Sequence, residues 1–252
     1  MLNLFWAPSN PPRTARPCIP EGLRIYAVAD IHGRVDLLET LLSTIAEDCR
    51  RAPQAVRIIF LGDYVDRGPF SCHVLDLLTG PSLPRDGAVF LKGNHEDALL
   101  AFLDDPMSGP PWFALGGMAT LSSYDVRVPC NLPSHERLDR LRDQFQRALP
   151  PDHLRFLRSL RLAETVGDYF FVHAGVDPRV PLDDQAVSDM LTIRDRFLDW
   201  ERPLDKVIVH GHSVSSEPVF KSWHIGIDTA AFATGRLACL ALEGTDRWIL
   251  ST

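Results

Sequence analysis

The stretch Gly62-Asp63-Tyr64-Val65-Asp66-Arg67-Gly68 puts two carboxylates and a guanidinium into one short turn. It directly follows the apolar run 56–61, which has the composition of a buried strand. A carboxylate at the end of a buried strand can bridge two cations, and a nearby arginine can bind phosphate oxygens through paired hydrogen bonds. Asp63 is therefore the candidate bridging ligand. The alternative is a tight turn in which the acids pair only with Arg67, because turns favour glycine and aspartate anyway.

Two more polar motifs follow apolar runs in the same way. The run 23–29 ends at Asp30-Ile31-His32-Gly33, and the run 88–91 leads to Gly93-Asn94-His95-Glu96. Asp30 and His32 are two positions apart, and on an extended strand end this spacing directs both side chains to one side. Two ligands of one metal need that arrangement, although alone it also fits a capping aspartate beside an exposed histidine.

Two histidine motifs repeat this placement in the second half of the chain. The run 169–172 ends at His173, and the run 207–209 ends at His210-Gly211-His212. A single histidine after a strand is more often a hydrogen-bonded structural residue than a ligand. Five motifs placed alike argue against that explanation, because ligands of open α/β sheets collect outside the carboxyl ends of the strands. We therefore expect the three motifs at Asp30, Gly62 and Gly93 to converge on one rim, and all five motifs to contribute to a common site.

Between these runs the apolar pattern changes to helical spacing. It is clearest over 38–49, a short helix is expected around 74–78, and residues 97–161 are predicted to form a helix-rich scaffold. Within that scaffold, the aromatic segment 112–124 is interpreted as packing, with a substrate entrance as the alternative. Alternating strands and helices predict the α/β class.

Composition and charge limit the function classes. Residues 1–22 contain five prolines and are expected to form an irregular arm before a single domain at 23–252. The formal charge of −7 argues against a nucleic-acid partner. Five scattered cysteines without a Cys-x-x-Cys pair favour a reducing, cytoplasmic location. The sequence shows neither a secretory signal nor an apolar run that predicts a membrane span.

Together, the five motifs resemble those of the phosphoprotein phosphatase branch of the calcineurin-like metallophosphoesterases. The resemblance rests on Asp30 to Gly33, Gly62 to Gly68, Gly93 to Glu96, His173 and Gly211-His212, and it covers about residues 23–230. It implies a four-layer α/β/β/α sandwich, in which helices flank two β-sheets.

The resemblance also implies a centre of two divalent metal ions, most often manganese, with iron or zinc as alternatives. One metal would be bound by Asp30, His32 and Asp63, and the second by Asp63, Asn94, His173 and His212. Oxygen and imidazole ligands without cysteine suit these metals but do not choose among them. A pair of such cations can activate a water molecule for in-line attack on phosphorus.

Four further residues are implied in catalysis. Arg67 and Arg194 would bind the phosphoryl group, and Arg194 is preferred to Arg196 within the segment 192–197. A solvated surface helix is the alternative for that segment. His95 would protonate the leaving alkoxide, and Asp66 would orient and polarise His95.

Three features of the sequence differ from the family pattern or leave an alternative open. The segment 225–230 lacks their Ser-Ala-Pro-Asn-Tyr sequence and looks like that of bacterial members. Lys92 stands where many relatives have arginine, which retains the charge but loses the planar guanidinium. His210 and His212 form a His-x-His that could mimic the terminal motif of phosphodiesterases, and His212 is preferred as ligand because it follows glycine.

These features predict a metal-dependent phosphomonoesterase, specifically a bacterial-type serine/threonine or broad-specificity protein phosphatase. Its partner would be a phosphorylated protein or a small phosphoester. The alternatives are a symmetrical dinucleoside tetraphosphatase, against which Asp66 counts, and a phosphodiesterase. A metal-bound interaction module without turnover is disfavoured, because no implied ligand or acid is missing.

Overall fold

The computed structural model describes residues 16–50, 55–81, 87–127 and 134–252. Most of the predicted arm, residues 1–15, lies outside these ranges. The remainder of the arm contacts the folded body: the Ile19 amide donates to the Gly244 carbonyl, and the Cys18 amide donates to Asp168. The boundary between arm and domain stays a prediction. None of the helices in the described ranges has the length and apolarity to cross a bilayer.

The first sheet has five strands in the order β10-β9-β1-β2-β3. Its strands are β1 (Leu23–Val28), β2 (Ala55–Phe60), β3 (Ala88–Phe90), β9 (Ala238–Glu243) and β10 (Asp246–Ser251). Strands β1, β2 and β3 are parallel, whereas β9 and β10 are antiparallel to their neighbours. The parallel strands place the motifs that begin at Asp30, Gly62 and Gly93 at one edge of this sheet.

The second sheet has the order β4-β5-β6-β8-β7. Its strands are β4 (Ala163–Val166), β5 (Tyr169–Val172), β6 (Val207–His210), β7 (Val219–Phe220) and β8 (His224–Gly226). Strands β5, β6 and β8 are parallel, so that His173 and His212 follow adjacent strands. The five motifs therefore lie on two sheets: the three that follow β1, β2 and β3 share one rim, as expected, and the two histidine motifs lie at strands of the second sheet.

The helices are distributed between the strands along the chain. They are α1 (Val35–Cys49), α2 (Ser71–Thr79), α3 (Asn94–Asp104), α4 (Gly109–Leu115), α5 (Gly117–Ser123), α6 (Ser134–Ala148), α7 (Pro151–Ser159), α8 (Val187–Thr192), α9 (Asp195–Leu198) and α10 (Ala231–Thr234). Helix α1 buries Leu38, Leu41 and Ile45, as its apolar spacing predicts.

The apolar core consists of two clusters, one on each face of the second sheet. Phe171 and Val209 face the main core, which they share with residues of the first sheet such as Phe60. The alternate residues of the same strands, such as Phe170, pack in a second cluster with Phe197 of α9. Successive strand residues point to opposite faces, so this division follows from strand geometry. Two sheets flanked by helices form the four-layer α/β/β/α sandwich.

Candidate dinuclear metal centre

The carboxylate of Asp63 lies at the centre of a cluster of imidazoles. Its Oδ2 atom is 3.4 Å from Nε2 of His173, 3.6 Å from Nε2 of His32 and 3.7 Å from Nε2 of His95. These separations exceed those of hydrogen bonds but suit donor atoms that share a cation. His173 comes from the second sheet, and the other residues come from the first, so the centre joins the two sheets.

The donor atoms form two groups, each close enough to surround one ion. The first contains His32, Asp63 and His95, and the second contains Asp63, His173 and His212. Asp63 belongs to both groups, which is the geometry required of a bridging ligand. Neither group includes Asp30.

Two other predicted ligands lie beside these groups. Oδ1 of Asn94 is 3.0 Å from Nε2 of His173, which places it next to the second group. The Asp30 carboxylate accepts a hydrogen bond from the His212 backbone amide, with 3.0 Å between N and Oδ2. The structure thus brings together all six predicted ligands, and it adds His95 to the neighbourhood of Asp63.

The imidazoles are oriented as metal ligands require. Nδ1 of His32 donates to the Val65 carbonyl, and Nδ1 of His173 donates to the Leu61 carbonyl, each over 2.9 Å. A carbonyl can only accept, so in both rings the Nε2 lone pair faces Asp63. Within the described residues, Nε2 of His32, His95 and His212 are buried without a hydrogen-bond partner. Unpaired buried nitrogens that face one carboxylate fit divalent cations bound between them.

Electrostatics keeps His32, His212 and Asp63 in their metal-binding forms, whereas burial, followed by the charges of Asp228 and Asp63, raises the pKa of the Asp30 carboxyl well above its usual value. Burial lowers the pKa of His32 to about 3. Burial, followed by the charges of His173 and Arg194, lowers the pKa of His212 to about 3. Burial opposes ionisation of Asp63, but the neighbouring imidazoles outweigh it and hold the pKa of that carboxyl well below its usual range. His32 and His212 are therefore neutral imidazoles, and Asp63 is a carboxylate, at neutral pH.

The backbone of the site adopts left-handed conformations that most side chains avoid. Among the described residues, seven non-glycine residues have positive φ, and five of them belong to the site: His32 (46°), Asp63 (52°), Asp66 (71°), Arg67 (64°) and His212 (57°). Such conformations persist only where the surroundings impose them, and they cluster at functional sites.

Glu96 imposes the conformation of the turn Gly62 to Gly68. Its buried carboxylate accepts hydrogen bonds from the backbone amides of Asp63, Tyr64, Val65 and Gly93. Gly93 itself permits the close approach of the two loops, because a Cβ there would lie 2.0 Å from Oδ1 of Asp63. The motif that supplies Asn94 and His95 therefore also fixes the position of Asp63.

Asp66 is held in a fully buried hydrogen-bond network. Its carboxylate accepts from Nδ1 of His95 at 2.7 Å, Nε1 of Trp112 at 2.9 Å and Oγ1 of Thr120 at 2.6 Å. Burial disfavours the charged form of His95, but the carboxylates of Asp63 and Asp66 outweigh it and raise the pKa of His95. The ring thus tends to retain its proton, as a general acid must.

The two candidate phosphate-binding arginines lie at the surface of the centre. Arg67 is exposed, and its guanidinium lies 4.8 Å from the ring centroid of Phe232. Arg194 is exposed and its charge acts on His212. Arg196 instead forms ion pairs with Asp189 and Asp177, at 2.6 and 3.4 Å. The geometry therefore favours Arg194 over Arg196 for contact with substrate.

His210 faces away from the metal ligands. It is buried, with Nε2 2.9 Å from Nδ1 of His224 and Nδ1 donating to the Gly211 carbonyl at 3.0 Å. Burial lowers its pKa to about 4. Of the two histidines in the His-x-His segment, only His212 joins the groups around Asp63. His210 has the hydrogen bonds of a structural residue.

A comparison with protein families assigns the chain. The family model described as calcineurin-like phosphoesterase matches residues 23–241. The chain belongs to this family. The match extends beyond the metal-ligand motifs into β9.

Relatives of this phosphoesterase have two kinds of recorded activity. A symmetrical bis(5'-nucleosyl)-tetraphosphatase of Methylococcus capsulatus is 29% identical over 62% of this chain and 44% of that protein. The asymmetrical bis(5'-nucleosyl)-tetraphosphatase PrpE of Bacillus anthracis is 24% identical over 84% of this chain and 88% of that protein. Serine/threonine-protein phosphatase 2 of Escherichia coli is 39% identical over 37% of this chain and 38% of that protein.

A solved structure shares the fold over nearly the whole chain. A crystal structure provisionally assigned as a diadenosine tetraphosphatase superposes with a TM-score of 0.62 at 22% identity, covering 90% of this phosphoesterase and 93% of that chain. At this identity the likeness establishes the fold alone.

The roles of several residues in this phosphoesterase site were not predicted from the sequence. Trp112 is fully buried, as the packing interpretation predicts, but its indole also donates to Asp66. Thr120 holds the same carboxylate, and Phe232 lies beside Arg67. Of the residues that position the site, Glu96 is the one that a sequence motif could have indicated, since it ends the Gly93-Asn94-His95-Glu96 motif.

Proposed function

We propose that this phosphoesterase hydrolyses dinucleoside tetraphosphates at a dinuclear metal centre bridged by Asp63. The observation that carries the proposal of phosphoryl transfer is the convergence of three imidazole Nε2 atoms on one Asp63 oxygen, with Arg67 and Arg194 exposed nearby. Such a set of donors binds cations, and the exposed guanidinium groups bind the anionic substrate.

Each part of the site has a distinct task in this proposal. His32, Asp63 and Asp30 would hold one metal, and Asn94, His173 and His212 would hold the second together with Asp63. When bound, the metals supply Lewis acidity toward the phosphoryl oxygens and activate the attacking water. Manganese is the proposed occupant.

The remaining residues act directly on the substrate. Arg67 and Arg194 orient the phosphoryl group and stabilise the negative charge that develops on its oxygens. His95 faces the centre through Nε2 while Nδ1 is held by Asp66, so it can deliver a proton to the departing oxygen.

Two observations support a dinucleoside polyphosphate as the substrate. The match to the Bacillus anthracis tetraphosphatase runs over most of both chains, whereas the match to the Escherichia coli phosphatase covers little more than a third of each. In addition, the half-buried ring of Phe232 packs edge-on against His32 at 5.4 Å and lies beside Arg67. A nucleoside attached to a phosphate at Arg67 would therefore meet an aromatic surface.

A phosphoprotein is the second candidate substrate. It is favoured by the buried Asp66–His95 pair, because a seryl or threonyl alkoxide is a strongly basic leaving group that needs a proton. A phosphate leaving group from an anhydride is far less basic and gains less from the same acid. The identity to the Escherichia coli phosphatase is higher than that to the tetraphosphatases, and it applies to a matched segment of 94 residues.

The two substrates are distinguished by a direct comparison of kcat/KM. Manganese-loaded protein is assayed on diadenosine tetraphosphate, with chromatography of the nucleotide products, and on a phosphoserine peptide. We expect kcat/KM to be higher for the dinucleotide by at least about tenfold. A higher value for the peptide would replace the proposal with the second candidate. Activity on neither substrate, in protein that contains both metals, would refute both.

A further inference from the structure

A second group of potential metal ligands lies apart from the dinuclear centre. Cys72 and Asp76 occupy positions four residues apart on α2, so their side chains share one face of that helix. His153 of α7 faces them across the helix contact. Nε2 of His153 is 3.2 Å from Oδ1 of Asp76, and Sγ of Cys72 is 3.9 Å from Oδ2 of the same carboxylate. All three donor atoms lie within 4.8 Å of one another.

The imidazole of this group is held in a fixed orientation. His153 is buried, and its Nδ1 is 2.8 Å from the hydroxyl of Tyr124, which is itself buried. When His153 Nδ1–H donates to the Tyr124 oxygen, Nε2 presents its lone pair to the group. Ligand histidines are normally oriented by such a second hydrogen bond.

We propose that Cys72, Asp76 and His153 bind a third, zinc-type divalent cation. Thiolate, imidazole and carboxylate together form a donor set typical of zinc, with bonds of about 2.0 to 2.3 Å that place tetrahedral donors roughly 3.5 Å apart. The observed separations require only side-chain adjustment to reach that value. The carboxylate of Asp76 is 60% exposed, so the fourth position opens to solvent.

The donor set separates this site chemically from the dinuclear centre. The centre around Asp63 offers oxygen and nitrogen ligands, whereas the third site includes a sulfur, which selects zinc over manganese or magnesium. Binding converts the Cys72 thiol to a thiolate, and the thiol proton is released to solvent. Burial and the Asp76 carboxylate raise the pKa of Cys72 to about 11, so without a cation the group remains a thiol.

A cation at this position would stabilise the elements whose residues hold Asp66. It would cross-link α2 to α7, two neighbouring helices that the His153–Asp76 pair already joins. Helix α2 begins at Ser71, whose hydroxyl accepts from the Asp66 backbone amide at 3.0 Å. The amide of Cys72 in turn donates to Ser123 of α5, close to Thr120. The third site is thus connected to the network that holds Asp66 through the backbone of residues 71–72 and the Ser123 hydroxyl.

Cobalt(II) provides a spectroscopic test that the dinuclear centre does not obscure. Cobalt bound to a thiolate gives an intense near-ultraviolet charge-transfer band, and the predicted ligands of the dinuclear centre include no sulfur. Metal-free protein, prepared by chelation, is titrated with cobalt. We expect the band to saturate at one thiolate-bound cobalt per chain in the wild type and in Cys49→Ser, and to be lost in Cys72→Ser. Cys49 is a matched control because it is also a partly buried helix cysteine.

Asp76→Asn tests the carboxylate without disturbing the buried residues. Loss of a ligand should raise the cobalt concentration at half-saturation of the band by at least about tenfold. This variant also covers the case in which Cys72→Ser does not fold. Absence of the band in folded wild-type protein would overturn the proposal, as would an unchanged titration in Asp76→Asn or a band that persists in Cys72→Ser.

Thiol reactivity gives an independent measurement with zinc itself. Wild-type protein is treated with iodoacetamide with and without added zinc, and each cysteine is followed by peptide mass spectrometry. Zinc should slow alkylation of Cys72 in the wild type but not in Asp76→Asn, whereas the exposed Cys18 should react equally in all samples. Equal alkylation of Cys72 with and without zinc in the wild type would contradict the site.

Discussion

Nδ1 of His95 lies 2.7 Å from Oδ2 of Asp66, and both side chains are fully buried. Asp66 and Asp63 together raise the pKa of His95, so the proton needed for general-acid catalysis is lost only as the pH rises through that elevated value. In Asp66→Asn the negative charge is removed and the pKa of His95 should fall. The alkaline limb of the kcat–pH profile should therefore move to lower pH, measured with a metal-saturated enzyme and a poor leaving group. An unchanged alkaline limb would show that Asp66 does not act through His95.

His95→Asn should affect substrates according to their leaving groups. Activity on a phosphoserine peptide should fall roughly 10²- to 10⁴-fold, whereas activity on an aryl phosphate with an acidic phenol should fall much less, because a phenolate departs without a proton. Both rates are measured in one metal-saturated preparation.

Metal content serves as the control for this variant. Nε2 of His95 also lies in the group with His32 and Asp63. Retention of both metals would agree with a proton donor, whereas loss of one metal with equal losses on the two substrates would identify His95 as a ligand instead.

Removal of the exposed arginines should reduce turnover without releasing metal. Arg67→Ala and Arg194→Ala should each lower kcat/KM by about 10²- to 10³-fold, since each guanidinium stabilises charge that develops on the phosphoryl oxygens. Arg196→Ala is the matched control, because Arg196 lies two residues from Arg194 but pairs with Asp189. A large loss in Arg196→Ala and a small loss in Arg194→Ala would reverse the assignment within this segment.

Phe232→Ala tests the substrate class at a residue without a titratable group. If the nucleoside meets this ring, KM for diadenosine tetraphosphate should rise by about tenfold, which corresponds to the order of 1 kcal/mol expected for aromatic contact. KM for an aryl phosphate with no nucleoside serves as the reference and should change less. Equal changes for both substrates would mean that Phe232 only packs against His32 and Arg67.

The motif-bearing strands were predictable because their signals are local. Each combines a short apolar run with polar residues at its carboxyl end, and the predicted bounds of β1, β2, β3, β5 and β6 differ from those observed by at most one residue. Residues 238–243 and 246–251 also form strands, yet β9 pairs with β1 across about two hundred residues of chain. No local pattern specifies such a pairing, and the division into two sheets could not be derived from the motifs alone.

Some residues of the candidate site could be predicted from local sequence patterns, and others are apparent only in the tertiary structure. The six proposed ligands lie in motifs at strand ends, and they were identified from the resemblance of those motifs to the family. Trp112 and Thr120 lie on helices about fifty residues from Asp66, and only the packed fold shows that they hold its carboxylate. His212 was preferred to His210 in the sequence because it follows glycine, and of these two histidines the fold places His212 in a donor group with Asp63.

The account depends most directly on Asp63 as the bridge between two cations. The measurement is metal content per chain, after removal of loosely bound ions, in wild type, Asp63→Asn and Asp36→Asn, with activity measured on the same samples. Asp36 is an exposed aspartate on α1 and serves as the control. We predict two bound metals and full activity in the wild type and Asp36→Asn, and fewer than two metals with activity lost in Asp63→Asn, since a neutral amide bridges two cations poorly. Two tightly bound metals and full activity in Asp63→Asn would contradict the account.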